Sequence, residues 1–263
     1  FDHNNFDNIT IRIKTNGFVV YGINQSSAIF FIDEYQFIRG YNFEIINEVV
    51  EKEYHTLMDN KVQVKMIYPA RYFSLVPSAY FSESDISVYF LHAIPQSEKD
   101  FFDYNFDKTS TEEIICVNAF NKGYLEHIKR AFPNYTLIAE SKLFMNVCAE
   151  NYKQNIANRP NTLFLHFFDD KVDYLLFVDD KLLLMNRIEY HTVENFIYHI
   201  LNVSSQFNMP TNKIDVILLG DIQKQSTIVS TLAKYFDRIQ FMTSGKIDIT
   251  SETPHAYNLE INA

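Results

Sequence analysis

Three short runs of apolar and aromatic residues follow one another in the second half of the chain, each bounded by polar residues typical of turns. The runs are residues 162–168, 172–178 and 182–190. Asp-Asp-Lys sequences at 169–171 and 179–181 separate them. Because Asp tolerates the left-handed conformation of tight hairpins, this pattern predicts a three-stranded meander with a turn at each Asp pair.

A helix, a strand, a helix and a strand are predicted after the meander. Thr192 is a typical N-cap, and the apolar residues from 193 to 201 follow helical spacing. A buried strand at 213–221, an amphipathic helix at 226–236 and a strand at 238–242 come next. The predicted order of the second half is therefore β-β-β-α-β-α-β.

The first half is predicted to repeat this order. Its meander comprises residues 8–14, 17–24 and 28–37, and a helix at 41–58 follows. Residues 112–140 then read as strand, helix and strand, while roughly 60–107 form an inserted subdomain. The predicted organisation is a first half at 1–140, a bridging helix and linker at 141–161, and a second half at 162–263.

Composition and charge limit the classes of function. The chain has 263 residues, of which 47% are hydrophobic, so it can bury a substantial core. Its net charge of −10 is spread along the chain, which argues against a nucleic-acid partner. The two cysteines have no metal-binding spacing, and no apolar run approaches 18 residues. The first residues also lack the features of a signal peptide. We expect a cytoplasmic protein without direct membrane insertion.

The two Asp pairs could in principle form a catalytic or metal site. One strand of roughly nine residues separates them, which places them about 30 Å apart at opposite ends of the sheet. Four carboxylates cannot act together over that distance. A single pair could still hold a metal ion, but the turn interpretation is favoured, and no metal-binding residue is assigned.

A duplicated β-β-β-α-β-α-β unit with a subdomain inserted in its first copy resembles the actin-like ATPase superfamily, which has a ribonuclease H-like fold. In detail, the chain resembles an uncharacterised domain family of Bacteroidetes with that fold. The segments that carry this closer resemblance are "TIRIKTNGFVVYGI", "VDYLLFVDDKLLLMNRIEYHTVENFIYHILNV" and "VILLGD". The resemblance implies an α/β protein with mixed sheets in two actin-like halves.

The resemblance also implies where a nucleotide would bind. Actin-like ATPases hold ATP between their halves, with glycines and small hydroxyl residues of each first hairpin around the phosphates and an acid ordering magnesium. Here Lys14 stands where the acid is expected, although Thr15 and Gly17 are kept. The second hairpin has two aspartates and no glycine. In the adenosine motif Gly220 remains, but Asp221 replaces the second glycine.

Thr15, Gly17, Gly220 and Asp221 are therefore candidates for a vestigial nucleotide site, and no catalytic residue is assigned. ATP and magnesium are possible but disfavoured cofactors. The sequence favours a non-catalytic actin-like binding or scaffold module with an unidentified protein partner. The alternative is an atypical ATP-binding actin-like ATPase or chaperone. The many aromatic residues, 24 Phe and 17 Tyr, are assigned mainly to the core, and any that remain outside could line a protein-binding surface.

Overall fold

A computed structural model describes most of the chain, in ten stretches. These are residues 8–14, 17–23, 29–36, 48–49, 52–54, 63–110, 113–131, 134–155, 157–168 and 171–242. The chain divides into two compact units, Phe1–Leu143 and Phe144–Ala263. We describe each unit by itself.

Thirteen strands and four α-helices have both ends within the described residues. The strands are β1 (Asn8–Lys14), β2 (Gly17–Ile23), β3 (Ile29–Gln36), β4 (Gln63–Tyr68), β5 (Tyr72–Pro77), β6 (Phe102–Lys108), β7 (Ile114–Asn121), β8 (Tyr135–Ala139), β9 (Asn161–Phe168), β10 (Lys171–Val178), β11 (Lys181–Glu189), β12 (Asp215–Gly220) and β13 (Arg238–Phe241). The helices are α1 (Lys122–Ala131), α2 (Glu140–Asn155), α3 (Val193–Gln206) and α4 (Thr227–Leu232). Short 3-10 helices occupy Ser78–Tyr80, Glu83–Phe90, Gln96–Phe101 and Thr211–Lys213.

Each unit is built on a five-stranded mixed sheet, and the two sheets have the same topology. The strand orders are β3-β2-β1-β4-β8 and β11-β10-β9-β12-β13. In both, the meander pairs antiparallel, and the other two strands run parallel to the first strand of the meander. The predicted α/β class, with a mixed sheet in each of two halves, is confirmed.

The inserted subdomain is a three-stranded antiparallel sheet of order β5-β7-β6. The sequence pattern predicted that the strand near 114 belongs to the main sheet and that the insertion precedes it, at roughly 60–107. Instead, β4 takes the fourth place of the main sheet, and β7 is the central strand of the small sheet. Both strands are short apolar runs, and periodicity does not distinguish a parallel strand from the buried centre of an antiparallel sheet.

Every second residue along a strand packs into the same core cluster. In the first unit Ile9, Ile11 and Ile13 of β1 belong to one core cluster. In the second unit, one face of the sheet packs on α3 and α4, with Phe196 and Ile200 of α3 fully buried. The other face packs on α2, because Tyr152 stacks on Phe177 with ring centroids 4.3 Å apart. The second sheet is therefore covered on both faces.

The helices predicted within the described residues are found, with differences in length. The Asn195 amide donates to Thr192 Oγ1 at 3.1 Å, which confirms the N-cap of α3. The helix predicted at 226–236 ends at Leu232, because i,i+3 hydrogen bonds such as Lys234 N to Thr231 O tighten its last turn. Of the helix predicted at 41–58, residues 48–49 and 52–53 are helical, and most of the others lie outside the described residues.

Candidate functional site

The first hairpin joins β1 to β2, and Lys14 pairs with Gly17 at its end. Thr15, one of the predicted nucleotide-site residues, lies outside the described residues. The Lys14 ammonium donates a hydrogen bond to Glu34 Oε1 on β3 at 3.0 Å. The cation that replaces the acid of the actin-like pattern is thus held by a carboxylate of the same sheet.

Gly17 is required by the packing of β2 on β3. A Cβ atom at this position would lie 1.9 Å from the carbonyl oxygen of Tyr35, far inside van der Waals contact. The nearest backbone must shift for any side chain to fit. The presence of glycine at this hairpin therefore has a structural cause and does not by itself indicate a phosphate site.

A buried basic residue occupies the same place in each half. Arg12 lies two residues before the end of β1, and His166 lies two residues before the end of β9. Each is on the face of its strand opposite the residues that belong to the core cluster of its unit. Arg12 is paired with Glu140 at the start of α2, with Nη2 and Nε 2.8 and 3.1 Å from Oε1. Both residues of this ion pair are 1% exposed.

The second hairpin joins β9 to β10, and Phe168 pairs with Lys171. Two residues therefore connect the strands, as predicted. They are Asp169 and Asp170, which lie outside the described residues, so their exposed-turn placement remains a prediction. The turn between β10 and β11 is described, and there Asp179 and Asp180 are exposed with φ of 46° and 64°. This is the left-handed pair that a two-residue hairpin needs, so the second Asp pair forms the predicted turn.

Gly220 and Asp221 lie beside the strand that leads into the second hairpin. Gly220 ends β12 with φ +89°, and a Cβ there would lie 2.1 Å from the carbonyl oxygen of Phe167. The Asp221 amide donates to that same oxygen at 2.7 Å, and the Asp221 residue is exposed. The structure thus brings these two candidates together at the end of β9. The following helix, α4, has only six residues.

A row of polar residues crosses the second sheet, and none of them was among the predicted site residues. In the strand registers Asp173 on β10 pairs with His166 on β9 and with Arg187 on β11. Arg187 Nε and Nη2 donate to the two Asp173 carboxylate oxygens at 2.6 and 2.8 Å. The guanidinium also lies 4.8 Å from the ring centroid of Phe168.

This polar row is deeply buried. Asp173 and His166 have no exposed surface, and Arg187 is 11% exposed in its side chain. The His166 ring stacks on Phe144 and Phe168 with centroids 5.5 and 5.1 Å away. Because the guanidinium occupies both Asp173 oxygens, the carboxylate serves the ion pair rather than a metal ion or a proton transfer. In the sequence these three residues are polar positions within largely apolar runs, and this was the available signal.

A buried thiol lies near the same row. Burial raises the pKa of Cys148 well above its ordinary value, and the negative charge of Asp173 raises it further. The thiolate is the reactive form, so Cys148 is a packing residue here. Within the described stretches, no three His, Cys, Asp or Glu side chains cluster as a metal site would require. Every helix in those stretches is also too short or too polar to cross a membrane.

Two solved structures show which fold class these paired sheets belong to. A protein of Bacteroides thetaiotaomicron with an actin-like ATPase fold and unknown function is 18% identical, with a TM-score of 0.73 over 89% of this chain and 90% of that chain. The PilM–PilN type IV pilus biogenesis complex contains a chain 12% identical, with a TM-score of 0.56 over 90% of this chain and 88% of that chain. At these identities the likeness shows the fold alone, and the protein has an actin-like ATPase fold.

The family follows from the sequence itself. The chain belongs to the family described as protein of unknown function DUF3822, whose model matches residues 1–239. No curated protein matches the chain. The predicted membership in an uncharacterised family with an actin-like fold is thereby confirmed.

Proposed function

We propose that this protein is a non-catalytic actin-like module that binds a protein partner, with hairpins that no longer serve ATP turnover. The main support for this proposal comes from the first hairpin. Lys14 occupies the position at which the actin-like pattern has an acidic residue. Its ammonium donates a hydrogen bond to the Glu34 carboxylate at 3.0 Å. An ammonium in that place cannot order magnesium as a carboxylate does.

The glycines support the same proposal. Gly17 and Gly220 both sit where a Cβ would collide with a neighbouring backbone carbonyl, at 1.9 and 2.1 Å. Sheet packing alone therefore accounts for the two residues that most resemble a nucleotide site. The two aspartates of the second hairpin add negative charge where a phosphate would have to approach, and such an approach without a metal is repulsive.

A protein partner is suggested by the PilM–PilN structure. One chain of this type IV pilus biogenesis complex has a similar fold over 90% of the present chain, with a TM-score of 0.56. A chain with this architecture can thus work by holding another protein. We transfer only that mode of action to this protein, because a likeness at 12% identity carries no information on the identity of a partner.

One observation favours the alternative, an atypical ATP-binding protein. Gly220 ends the fourth strand of its half with φ +89°, and the backbone turn that follows is of the type that could approach a ligand closely. Binding of a nucleotide without hydrolysis is compatible with this geometry. The alternative requires a ligand contact at Gly220 or Asp221 in addition to the packing against Phe167.

The proposal is tested by measuring phosphate release from millimolar magnesium-ATP by the purified full chain. We expect no release above that of buffer, for the wild type and for Lys14→Asp, which restores the acid. Each sample is assayed across its gel-filtration peak, so that a contaminating ATPase is recognised by a profile that differs from the protein profile. Turnover by the wild type that follows the protein peak would show that the proposal is wrong.

A further inference from the structure

The outer strand of the second sheet, β11, has features that favour pairing with another chain. Among the strands that the structure describes, β11 pairs only with β10, at one end of the sheet. It is nine residues long, and residues 182–186 carry no charge. Leu183 is 39% exposed. A long apolar edge of this kind offers amides and carbonyls to an incoming strand, and native proteins usually protect such edges.

The two hairpins of the second sheet determine which amides of β11 point away from β10. In a two-residue hairpin the residues on either side of the turn exchange hydrogen bonds, and the pairs that follow alternate. Val178 pairs with Lys181, so the even-numbered residues of β10 bond to β11. Phe168 pairs with Lys171, so the odd-numbered residues of β10 bond to β9. The β11 residues opposite odd-numbered positions therefore point their amides outward: Leu182, Met185, Arg187 and Glu189.

One of these outward amides is occupied by a side chain of the same strand. The Arg187 amide donates to Asn186 Oδ1 at 2.8 Å. Asn186 lies opposite Tyr174 in the strand register. Burial raises the pKa of Tyr174, and a hydrogen bond with the Asn186 side chain lowers it in part, as a donor to the hydroxyl oxygen does. The nitrogen of the Asn186 amide group therefore faces Tyr174, and its oxygen faces the Arg187 amide.

A β-bulge interrupts the rest of the edge. The register of β10 and β11 shifts where β11 carries one extra residue, Leu183. Outward amides normally recur at every second residue, but here Met185 follows Leu182 after three positions. A regular incoming strand can therefore match only the outward amides from residue 185 onward. The central one of these belongs to Arg187, and it is the amide that Asn186 occupies.

We propose that Asn186 and the bulge at Leu183 form a built-in block that keeps a second copy of the chain from adding its own β11 to this edge. A strand in register with the regular part of the edge needs the Arg187 amide as a donor. It must first break the bond to Asn186, so the exchange brings no gain in the number of hydrogen bonds at that position. Every copy brings the same long uncharged strand, which makes a second copy the occupant that the block has to exclude.

The test compares variants of the full chain by sedimentation velocity over a hundredfold range of concentration, with circular dichroism as the check of folding. Asn186→Val combined with deletion of Leu183 removes both parts of the block. Asn186→Asp is the matched control that keeps an acceptor oxygen beside the Arg187 amide, and Leu183→Ser keeps the bulge but removes the exposed side chain. We expect the wild type and both controls to sediment as monomers. The unblocked variant should associate at concentrations at least tenfold below any at which the wild type does.

A second measurement needs no variant. Amide hydrogen exchange of the wild type, followed by NMR and corrected for intrinsic rates, should be at least tenfold slower for Arg187 than for Met185. Both amides point outward, but that of Arg187 has the bond to Asn186.

Three results would overturn the proposal. Equal protection of the Arg187 and Met185 amides would mean that Asn186 does not occupy the edge. A folded unblocked variant that stays monomeric would mean that Asn186 and the bulge do not control pairing. A wild-type dimer in which the Met185 and Glu189 amides become protected as concentration rises would show that the edge is open. None of these results bears on nucleotide turnover, which the phosphate-release assay measures separately.

Discussion

Removing one partner of the Asp173–Arg187 pair should destabilise the second unit strongly. Asp173 is fully buried, and Arg187 donates two charge-assisted hydrogen bonds to it at 2.6 and 2.8 Å. Asp173→Asn keeps the shape but leaves the guanidinium facing a neutral amide. Breaking a buried ion pair in this way costs about 3–5 kcal/mol, a large part of the 5–15 kcal/mol that typically stabilises a domain.

The same two strands offer a matched control. Lys171 and Glu189 also form an ion pair between β10 and β11, at 3.7 Å, but Glu189 is 67% exposed. Solvent screens such a pair, so Glu189→Gln should cost about 1 kcal/mol or less. The double variant Asp173→Leu, Arg187→Met removes both buried charges and should regain most of the stability that Asp173→Asn loses.

The assay is urea unfolding followed by far-UV circular dichroism and by tyrosine fluorescence, since the chain has no tryptophan. The two units allow two transitions, and the account predicts that Asp173→Asn moves the transition of the second unit to lower urea. If Asp173→Asn and Glu189→Gln lowered the free energy of unfolding equally, by about 1 kcal/mol or less, the reasoning on the buried pair would be refuted.

Three further predictions follow from the described packing. Gly17→Ala should lower the free energy of unfolding by about 1–3 kcal/mol, because the new Cβ would lie 1.9 Å from the Tyr35 carbonyl oxygen. The control Gly123→Ala, near the start of α1, meets only a side-chain oxygen at 3.3 Å and should not lower the free energy of unfolding. Equal urea midpoints for the two variants would contradict this prediction. Burial raises the pKa of Tyr35 to about 12 and also raises that of Tyr54, so the folded state keeps phenol protons that the unfolded state releases. Stability should be complete below pH 10 and fall as the pH rises from 10 toward 12. Absorbance at 295 nm showing that all 17 tyrosines ionise near pH 10 without unfolding would argue against it. Burial raises the pKa of Cys116 to about 11 and also raises that of Cys148. A thiol reagent at pH 8 should therefore label neither cysteine in the native protein and both in urea. Rapid labelling of the native protein would show that the thiols are accessible and would contradict the prediction.

Local signals were sufficient to predict much of the fold. The Asp179–Asp180 turn was predicted because few residues accept positive φ, and both aspartates adopt it. The N-cap Thr192 and the helix predicted from residue 141, observed as Glu140–Asn155, were likewise visible in the sequence. These features depend on neighbouring residues only, which is why one sequence reveals them.

Features set by pairing between distant segments could not be predicted in the same way. The exchange of β4 and β7 between the two sheets of the first unit depends on which buried strand finds which partner. The row of His166, Asp173 and Arg187 exists only in the register of three strands. In the candidate site, the identities of Gly17 and Gly220 were visible, but their cause, a carbonyl of an adjacent strand, required the structure.

The central claim, that this actin-like fold no longer uses ATP, is tested most directly by nucleotide binding. The full chain is titrated calorimetrically with magnesium-ATP, and its thermal unfolding is followed with and without the nucleotide at millimolar concentration. A ligand at 100 times its dissociation constant adds about 2.7 kcal/mol, which would raise the unfolding midpoint by several degrees. The account predicts no heat of binding and no shift of the midpoint. A saturable heat together with a shift of several degrees would contradict it and would favour the nucleotide-binding alternative at Gly220.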